Sequence, residues 1–110
     1  MQVKIKATKI ELNAEIKELI QEKMNMIEKY LGSVQAIHCD FEVEKSLAKR
    51  NSGKIYRAEV NLSLPGEILR IEKTEVDIKK AIEKVKDHLK IAIKKYKEKK
   101  QDKKRSSHKN

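Results

Sequence analysis

Hydrophobic and polar residues along this chain recur with two different periods. In the segments "QVKIKA", "IHCDFEVEK" and "KIYRAEVNLSL", apolar residues occur at every second position, which is the period of a half-buried β-strand. The segment "EILRIEK" is shorter and follows Pro65-Gly66, a pair suited to a tight turn. These segments predict four strands. The apolar face of the second strand carries Ile37, Cys39, Phe41 and Val43.

Two longer segments change to the spacing of an amphipathic helix. The first, "LNAEIKELIQEKMNMIEKYLG", has Asn13 as a candidate N-cap and ends before Gly32, a residue type suited to the position after a helix. The second is predicted from about Glu75 to Lys97, with Thr74 and Asp77 resembling a capping box. Its apolar residues fall within an arc of about 120°. They are Ile78, Ala81, Ile82, Val85, Leu89, Ala92, Ile93 and Tyr96.

The order of these elements predicts an α+β fold. The succession is β-α-β-β-β-α, and packing two helices on one face of a four-stranded, mainly antiparallel sheet buries every apolar stripe at once. We expect residues 1–98 to form this single domain. Residues 99–110 contain no apolar side chain and are rich in lysine, so they are predicted to be a disordered basic tail.

Charge is distributed unevenly between these elements. The chain has a net charge of +10, but residues 1–76 hold 13 Lys/Arg and 12 Asp/Glu, whereas residues 77–110 hold 14 and 5. A basic block of this kind attracts polyanions. Nucleic acid is the favoured partner. A lysine-rich surface that only keeps the protein in solution, and an anionic membrane, are the alternatives.

Several classes of protein are disfavoured by what the sequence contains. No apolar run reaches the roughly 18 residues of a membrane span, and the first residues lack the apolar region of a signal peptide. One cysteine, Cys39, fits a reducing compartment and a place in the core. We therefore expect a cytoplasmic protein.

The sequence gives little support for a catalytic or metal site. Asp40, Glu42 and Glu44 share one strand face, and the interpretation as a solvated surface paired with Lys54 and Arg57 is favoured over an acid–base or metal site. His38 and Cys39 point to opposite faces of a strand and cannot share a metal. No enzymatic activity, cofactor or small-molecule substrate is predicted.

The last helix carries basic residues on both sides of its apolar arc. One flank has Lys79, Lys86, Lys90, Lys94 and Lys97, and the other has Lys84, His88, Lys95 and Lys99. Twenty-one residues of such a helix span about 31 Å, long enough to follow a run of phosphates. One Phe, three Tyr and no Trp argue against base stacking. The pattern favours structured RNA recognised by shape and charge.

Lys23 lies inside the apolar arc of the first helix, between Ile16 and Ile27. Because an unpaired buried charge is costly, we expect its stem to run along the helix–helix groove and its ammonium group to reach water. The side chain then either fills space in the groove or contacts a phosphate there. The sequence leaves both roles open.

Two segments resemble a known family. "EKMNMIEKYLG" (22–32) resembles the KLxKLEKY-type segment of the ribosome hibernation promoting factor family, also called ribosome-associated inhibitor A or light-repressed protein. "PGEILRIEKTEVDIKKAIEKVKDHLKIAIKKYKEKK" (65–100) resembles that family's PGxxLxAxExxxDMYxAIDxxxDKLxRQLxKYKEK region. The resemblance covers about residues 1–100. The positions that match the second pattern are Asp77, Ala81, Ile82, Asp87, Leu89, Lys95, Tyr96 and Lys97.

The resemblance implies a domain similar to double-stranded-RNA-binding folds that lodges in the small ribosomal subunit. Such a protein occupies the mRNA channel and the tRNA sites on the decoding side, inhibits initiation during stress or stationary phase, and is expected to be monomeric off the ribosome. Long family members carry a C-terminal dimerisation domain, and this chain resembles a short member. A general structured-RNA-binding protein, not specific for ribosomes, is the alternative.

The resemblance also implies which residues contact RNA. Lys23, Lys29 and Lys95 match basic helix positions of the family, whereas Met26, Lys79, His88 and Ile91 depart from its pattern. Those departures either weaken binding or are compensated by lysines elsewhere on the last helix, because phosphate attraction tolerates shifts of position. The predicted RNA-binding residues are Lys23, Lys29, Lys84, His88, Lys90, Lys94, Lys95 and Lys97.

Overall fold

A computed structural model describes residues 1–47 and 53–107 of the chain. Over these residues the chain forms four strands and two helices in the predicted order β-α-β-β-β-α, which confirms the α+β fold. The elements are β1 (Val3–Thr8), α1 (Ala14–Leu31), β2 (His38–Leu47), β3 (Lys54–Leu64), β4 (Glu67–Glu75) and α2 (Ile78–Ser107).

The strands form one sheet in the order β1-β2-β3-β4. β1 pairs parallel to β2, as a strand pair connected through a helix does, and the other two pairs are antiparallel. Pro65 and Gly66 make the predicted two-residue turn between β3 and β4, where Leu64 pairs with Glu67. Gly66 has a φ of 83°, a value that glycine adopts without the steric cost of a Cβ atom.

Both helices pack on one face of the sheet, and the core lies between them and it. Cys39, Phe41 and Val43 of β2 are buried there, as their alternation predicts. The prediction that Ile37 shares this buried face is wrong, because Ile37 precedes β2 and is 57% exposed. The buried residues of α2 all belong to the predicted apolar arc; they are Ala81, Ile82, Val85, Leu89, Ile93 and Tyr96.

The ends of α1 follow their predicted signals. Asn13 Oδ1 accepts a hydrogen bond from the main-chain N–H of Ile16 at 2.9 Å, which satisfies a donor in the first turn. Gly32 has a φ of 61°, and its N–H donates to the carbonyl oxygen of Lys29 at 3.2 Å. The helix is therefore closed at both ends by residues that its own sequence supplies.

The ends of α2 differ from the prediction. β4 continues through Glu75, which pairs with Tyr56, so the helix begins at Ile78 and Thr74 is a strand residue and not its cap. Asp77 takes that role, because its Oδ1 accepts from the N–H of Lys79 at 2.9 Å. Thr74 and Glu75 stay in the strand because pairing with β3 gives their main chain hydrogen-bond partners in the sheet. A capping box would not provide these partners.

At its other end, α2 continues past the predicted limit of Lys97 to Ser107. Lysine, glutamate and glutamine are good helix formers, and no glycine or proline follows Gly66. Of the predicted basic tail, residues 99–107 are thus helical, while residues 108–110 lie outside the described part of the chain. The domain boundary at residue 98 stays a prediction.

Tyr96 joins α2 to the far end of the sheet. Its ring is buried, and its hydroxyl donates to the carbonyl oxygen of Pro65 in the β3–β4 turn at 2.7 Å. This contact holds α2 against the domain at Tyr96, the last residue of the helix that is described as buried. Lys94, Lys95 and Lys97 are therefore presented by a stretch of helix that the core anchors.

Candidate nucleic-acid interface

The two helices run parallel beside each other. Three contacts between them follow the same order along both helices, which is possible only if both point in one direction. The pairs are Glu15 with Lys79, Lys23 with Glu83, and Tyr30 with Lys97. A groove between α1 and α2 therefore runs along the surface opposite the sheet.

Lys23 lies in this groove, as predicted, but its charge is paired. Its Nζ is 2.7 Å from Glu83 Oε2 on α2, and its side chain is only 16% exposed. The same carboxylate is 2.8 Å from Lys86, which also contacts Asp87 at 2.7 Å. These hydrogen bonds, led by that from Lys23, lower the pKa of Glu83. Two lysines and two carboxylates thus form a neutral cluster.

The flank of α2 on the side of β4 is also partly paired. Lys84 contacts Glu75 at 3.0 Å and Lys99 contacts Glu67 at 3.6 Å, and both carboxylates belong to β4. Both lysines are more than half exposed, so each pair is screened and adds little to stability. Lys84, a predicted RNA-binding residue, therefore has a competing partner within the protein.

The remaining predicted residues lie in the last turn of α1 and on α2 from His88 onwards, where they occupy both flanks of the apolar arc. We call them the distal basic surface: Lys29, His88, Lys90, Lys94, Lys95 and Lys97. Within residues 1–47 and 53–107, none of these six forms an ion pair with a carboxylate. All are exposed except Lys97, which is half-buried. The charges of the five lysines of this surface are available to a partner, unlike that of Lys23.

Tyr30 organises one side of the distal basic surface. Lys90 Nζ lies 5.1 Å and Lys97 Nζ 4.9 Å from the centroid of its ring. Lys97 Nζ also donates to the carbonyl oxygen of Tyr30 at 2.5 Å. That oxygen is one of the last carbonyls of α1, so the contact places a positive charge at the negative end of the helix dipole.

The open face of the sheet has a different character. Arg57 on β3 stands among four carboxylates, at 2.6 Å from Glu42, 3.0 Å from Glu44, 3.5 Å from Glu72 and 3.9 Å from Glu59. The hydrogen bond from Arg57 is the main cause of a lowered pKa at Glu42. The interpretation of Glu42 and Glu44 as a paired surface is confirmed for Arg57.

The part of the chain that the structure describes holds neither a cluster of metal ligands nor a membrane-spanning helix. Over the described ranges, no three His, Cys, Asp or Glu side chains are grouped to hold a metal ion. In the same part of the chain, neither helix is long and apolar enough to cross a membrane. Cys39 is buried, and burial raises the pKa of its thiol to about 11, so at neutral pH the thiol stays protonated.

Sequence reasoning missed the partners of the basic residues. Glu83 and Tyr30 were not singled out, although they decide which lysines are neutralised and which are held with their charge intact. A spacing argument along one helix cannot find them, because Lys23 and Glu83 lie on different helices. The only available signal was the position of Lys23 inside the apolar arc of α1.

Comparison with known proteins places this architecture in a family. Residues 3–101 match the family described as Sigma 54 modulation protein / S30EA ribosomal protein. The ribosome hibernation promotion factor of Deinococcus radiodurans is 28% identical over 88 residues, which are 80% of this chain and 44% of that protein. The chain thus spans less than half the length of this curated relative.

Two solved structures share the fold. The N-terminal domain of protein Y from Thermus thermophilus has a TM-score of 0.68 and 24% identity, over 87% of this chain and 99% of that one. A ribosomal subunit interface protein from Coxiella burnetii has a TM-score of 0.64 and 18% identity, over 88% and 98%. With the match over residues 3–101, the chain belongs to the Sigma 54 modulation protein / S30EA ribosomal protein family, as the resemblance in its own segments predicts.

Proposed function

We propose that this protein is a ribosome-associated translation inhibitor that binds ribosomal RNA of the small subunit through its distal basic surface. The observation that carries the proposal is a set of lysines on α2 that has no carboxylate partner among the described residues. It is joined by Lys29 at the end of α1. The names of the relatives from Deinococcus radiodurans and Coxiella burnetii support the ribosome as the partner.

The chemistry of this surface suits a phosphate backbone. Lysine carries a compact charge on a flexible stem, which positions a protein on phosphates and reads no base. From Lys90 to Lys97 the helix rises about 10 Å, so its ammonium groups meet several phosphates of a folded strand. The residues proposed as contacts are Lys29, His88, Lys90, Lys94, Lys95 and Lys97, with Lys23 and Lys84 contributing only if RNA displaces Glu83 and Glu75.

Inhibition follows from occupancy in this proposal. A domain that lodges where mRNA and tRNA bind the small subunit prevents initiation by exclusion, and needs neither catalysis nor a cofactor. The protein acts as a monomer in the cytoplasm, and idle ribosomes are kept intact during stress or stationary phase. The relative from Deinococcus radiodurans is named a ribosome hibernation promotion factor. We propose the same role for this chain because of its similarity to that protein.

Sedimentation with purified small ribosomal subunits tests the proposal. With about six phosphate contacts, raising the salt concentration from about 50 to 200 mM should lower the affinity roughly a thousandfold. The protein is expected in the pellet at low salt and in the supernatant at high salt. Protein that stays in the supernatant at about 50 mM salt contradicts the proposal.

A general structured-RNA-binding protein is the second candidate. It is favoured by the same lysines, because backbone contacts carry no sequence information. Competition separates the two: an excess of unrelated duplex RNA displaces a general binder from small subunits and leaves a ribosome-specific factor bound. We expect the bound fraction to persist.

A further inference from the structure

Tyr30 and two lysines form a defined arrangement at the edge of the distal basic surface. The ring is half-buried in the last turn of α1, and the ammonium groups of Lys90 and Lys97 lie 5.1 and 4.9 Å from its centroid. The two ammonium groups are therefore no farther apart than the sum of these distances. Both lysine side chains lean from α2 towards the ring on α1, and that of Lys90 remains exposed to solvent.

We propose that Tyr30 is a positioning residue that holds Lys90 and Lys97 as a preorganised pair for backbone phosphates of structured RNA. This inference rests on the proposed function, because it names the ligand of the same surface. An ammonium group is attracted to the face of an aromatic ring by the ring quadrupole. The ring has no net charge, so it orients both lysines and leaves their positive charge intact.

The cluster around Glu83 holds its lysines in a different way from Tyr30. Glu83 also fixes two lysines, Lys23 and Lys86, but its carboxylate cancels part of their charge. Tyr30 therefore provides orientation without neutralisation, which a carboxylate at that place would not. Two pairs of lysines on the same groove thus have opposite roles, one joining the helices and one facing a ligand.

Preorganisation raises affinity by reducing the side-chain entropy that is lost on binding. A lysine side chain that moves freely in solvent loses rotamer entropy when it contacts a phosphate, whereas a side chain that is already held in place loses less. An ammonium group has three donors, and Lys97 uses one on the carbonyl oxygen of Tyr30 at 2.5 Å. Its other two protons remain for phosphate oxygens.

Substitution of Tyr30 separates positioning from packing. Tyr30→Leu keeps a large apolar side chain and a good helix former but removes the ring, whereas Tyr30→Phe keeps the ring. Tyr56→Leu is a matched control, since Tyr56 is also half-buried but lies on β3. Binding of each variant to purified small ribosomal subunits is measured over a salt series, after circular dichroism shows an unchanged fold.

We expect Tyr30→Leu to weaken binding about three- to tenfold at every salt concentration, with no change in the slope of log K against log salt. The slope is kept because both lysines are still present, whereas Lys90→Gln should reduce it by about one. Tyr30→Phe and Tyr56→Leu should bind within about twofold of the unsubstituted protein. Equal affinities for Tyr30→Leu and the unsubstituted protein overturn the positioning role. A loss shared equally by Tyr30→Phe also overturns it, because the ring is then not the cause.

Measurements on the free protein keep this inference separate from the proposed function. The ring current of Tyr30 should shift the ε-methylene proton resonances of Lys90 and Lys97 upfield, in the unsubstituted protein and in Tyr30→Phe but not in Tyr30→Leu. Absence of these shifts overturns the arrangement whether or not ribosomes are bound. Unsubstituted protein that shows the shifts but binds no subunits overturns the proposed function, and the RNA role of Tyr30 with it. If Tyr30→Leu is not folded, Tyr30→Met carries the same expectations.

Discussion

At the scale of single residues, the contacts of each ammonium group decide whether a lysine serves the fold or a partner. Lys23 and Lys86 are held by carboxylates in the groove between the helices, with side chains 16% and 13% exposed. Lys94 and Lys95 are exposed, and no carboxylate among the described residues pairs with them. The sequence analysis predicts RNA contact for Lys23 as for Lys94 and Lys95. The position of Lys23 inside the apolar arc of α1 sets it apart, but its partner Glu83 is identified only by the structure.

Replacing Lys23 should therefore affect stability more than binding. Lys23→Gln removes an ion pair to Glu83 in which the lysine is 16% exposed and the carboxylate 43%, so we expect the free energy of unfolding in urea to fall by about 1 kcal/mol. The salt dependence of ribosome binding should be unchanged. Lys94→Gln is the control with the opposite expectation: it keeps the stability within about 0.5 kcal/mol and lowers the salt slope by about one. The reverse result for the two variants contradicts the assignment.

Arg57 should stabilise the protein in a pH-dependent way. Arg57→Met removes the cation that contacts four carboxylates, of which Glu42 keeps a longer contact to Lys6 at 3.9 Å. We expect a loss of about 2 kcal/mol at neutral pH. The pKa of Glu42 is lowered in the folded state from its usual 4.5, mainly by the hydrogen bond from Arg57. The stabilisation by Glu42 is thus complete above that usual value and is lost as the pH falls through the lowered one.

The measurement is urea unfolding of Arg57→Met and the unsubstituted protein between about pH 7 and pH 3. The difference in unfolding free energy should be largest near neutral pH and should shrink as the carboxylates become protonated in both proteins. A difference that is constant with pH would show that Arg57 acts through packing of its stem and not through its charge.

At the scale of elements, local signals predicted some boundaries and not others. Asn13 and Gly32 mark α1 correctly, because both ends are closed by contacts within a few residues. The start of α2 was predicted too early, since pairing of β4 with β3 extends the strand through Glu75. Its end is predicted too early because the apolar pattern stops near Lys97, whereas the lysine-rich sequence that follows retains helix propensity.

The observed start of α2 predicts that substitutions of the two candidate capping residues, Asp77 and Thr74, differ in their effect on stability. Asp77→Ala removes the side chain that accepts from the N–H of Lys79 and should lower the unfolding free energy by about 1 kcal/mol. Thr74→Val keeps the β-branched shape suited to a strand and should be nearly neutral. Thermal or urea unfolding of both variants checks this. A larger loss for Thr74→Val would restore the capping box predicted from the sequence.

At the scale of the whole molecule, the two faces differ in charge and in use. The helix layer carries the distal basic surface, while the open face of the sheet places Arg57 among carboxylates of β2, β3 and β4. The sequence predicted this division, because alternation assigns each strand residue to a face and the helix period assigns each lysine to a flank. It predicted the pairing of Arg57 with carboxylates of β2, but not the ion pairs between the helices or the Tyr30 contacts, which join residues distant in the chain.

The central claim is that the distal basic surface, and not net charge alone, binds the small ribosomal subunit. Two double variants change the net charge equally: Lys94→Glu with Lys95→Glu on α2, and Lys4→Glu with Lys6→Glu on β1. All four lysines are exposed. The measurement is the dissociation constant of each folded variant for purified small subunits at one low salt concentration. We expect a loss of about tenfold or more for the α2 variant and a clearly smaller loss for the β1 variant. Equal losses would contradict the account.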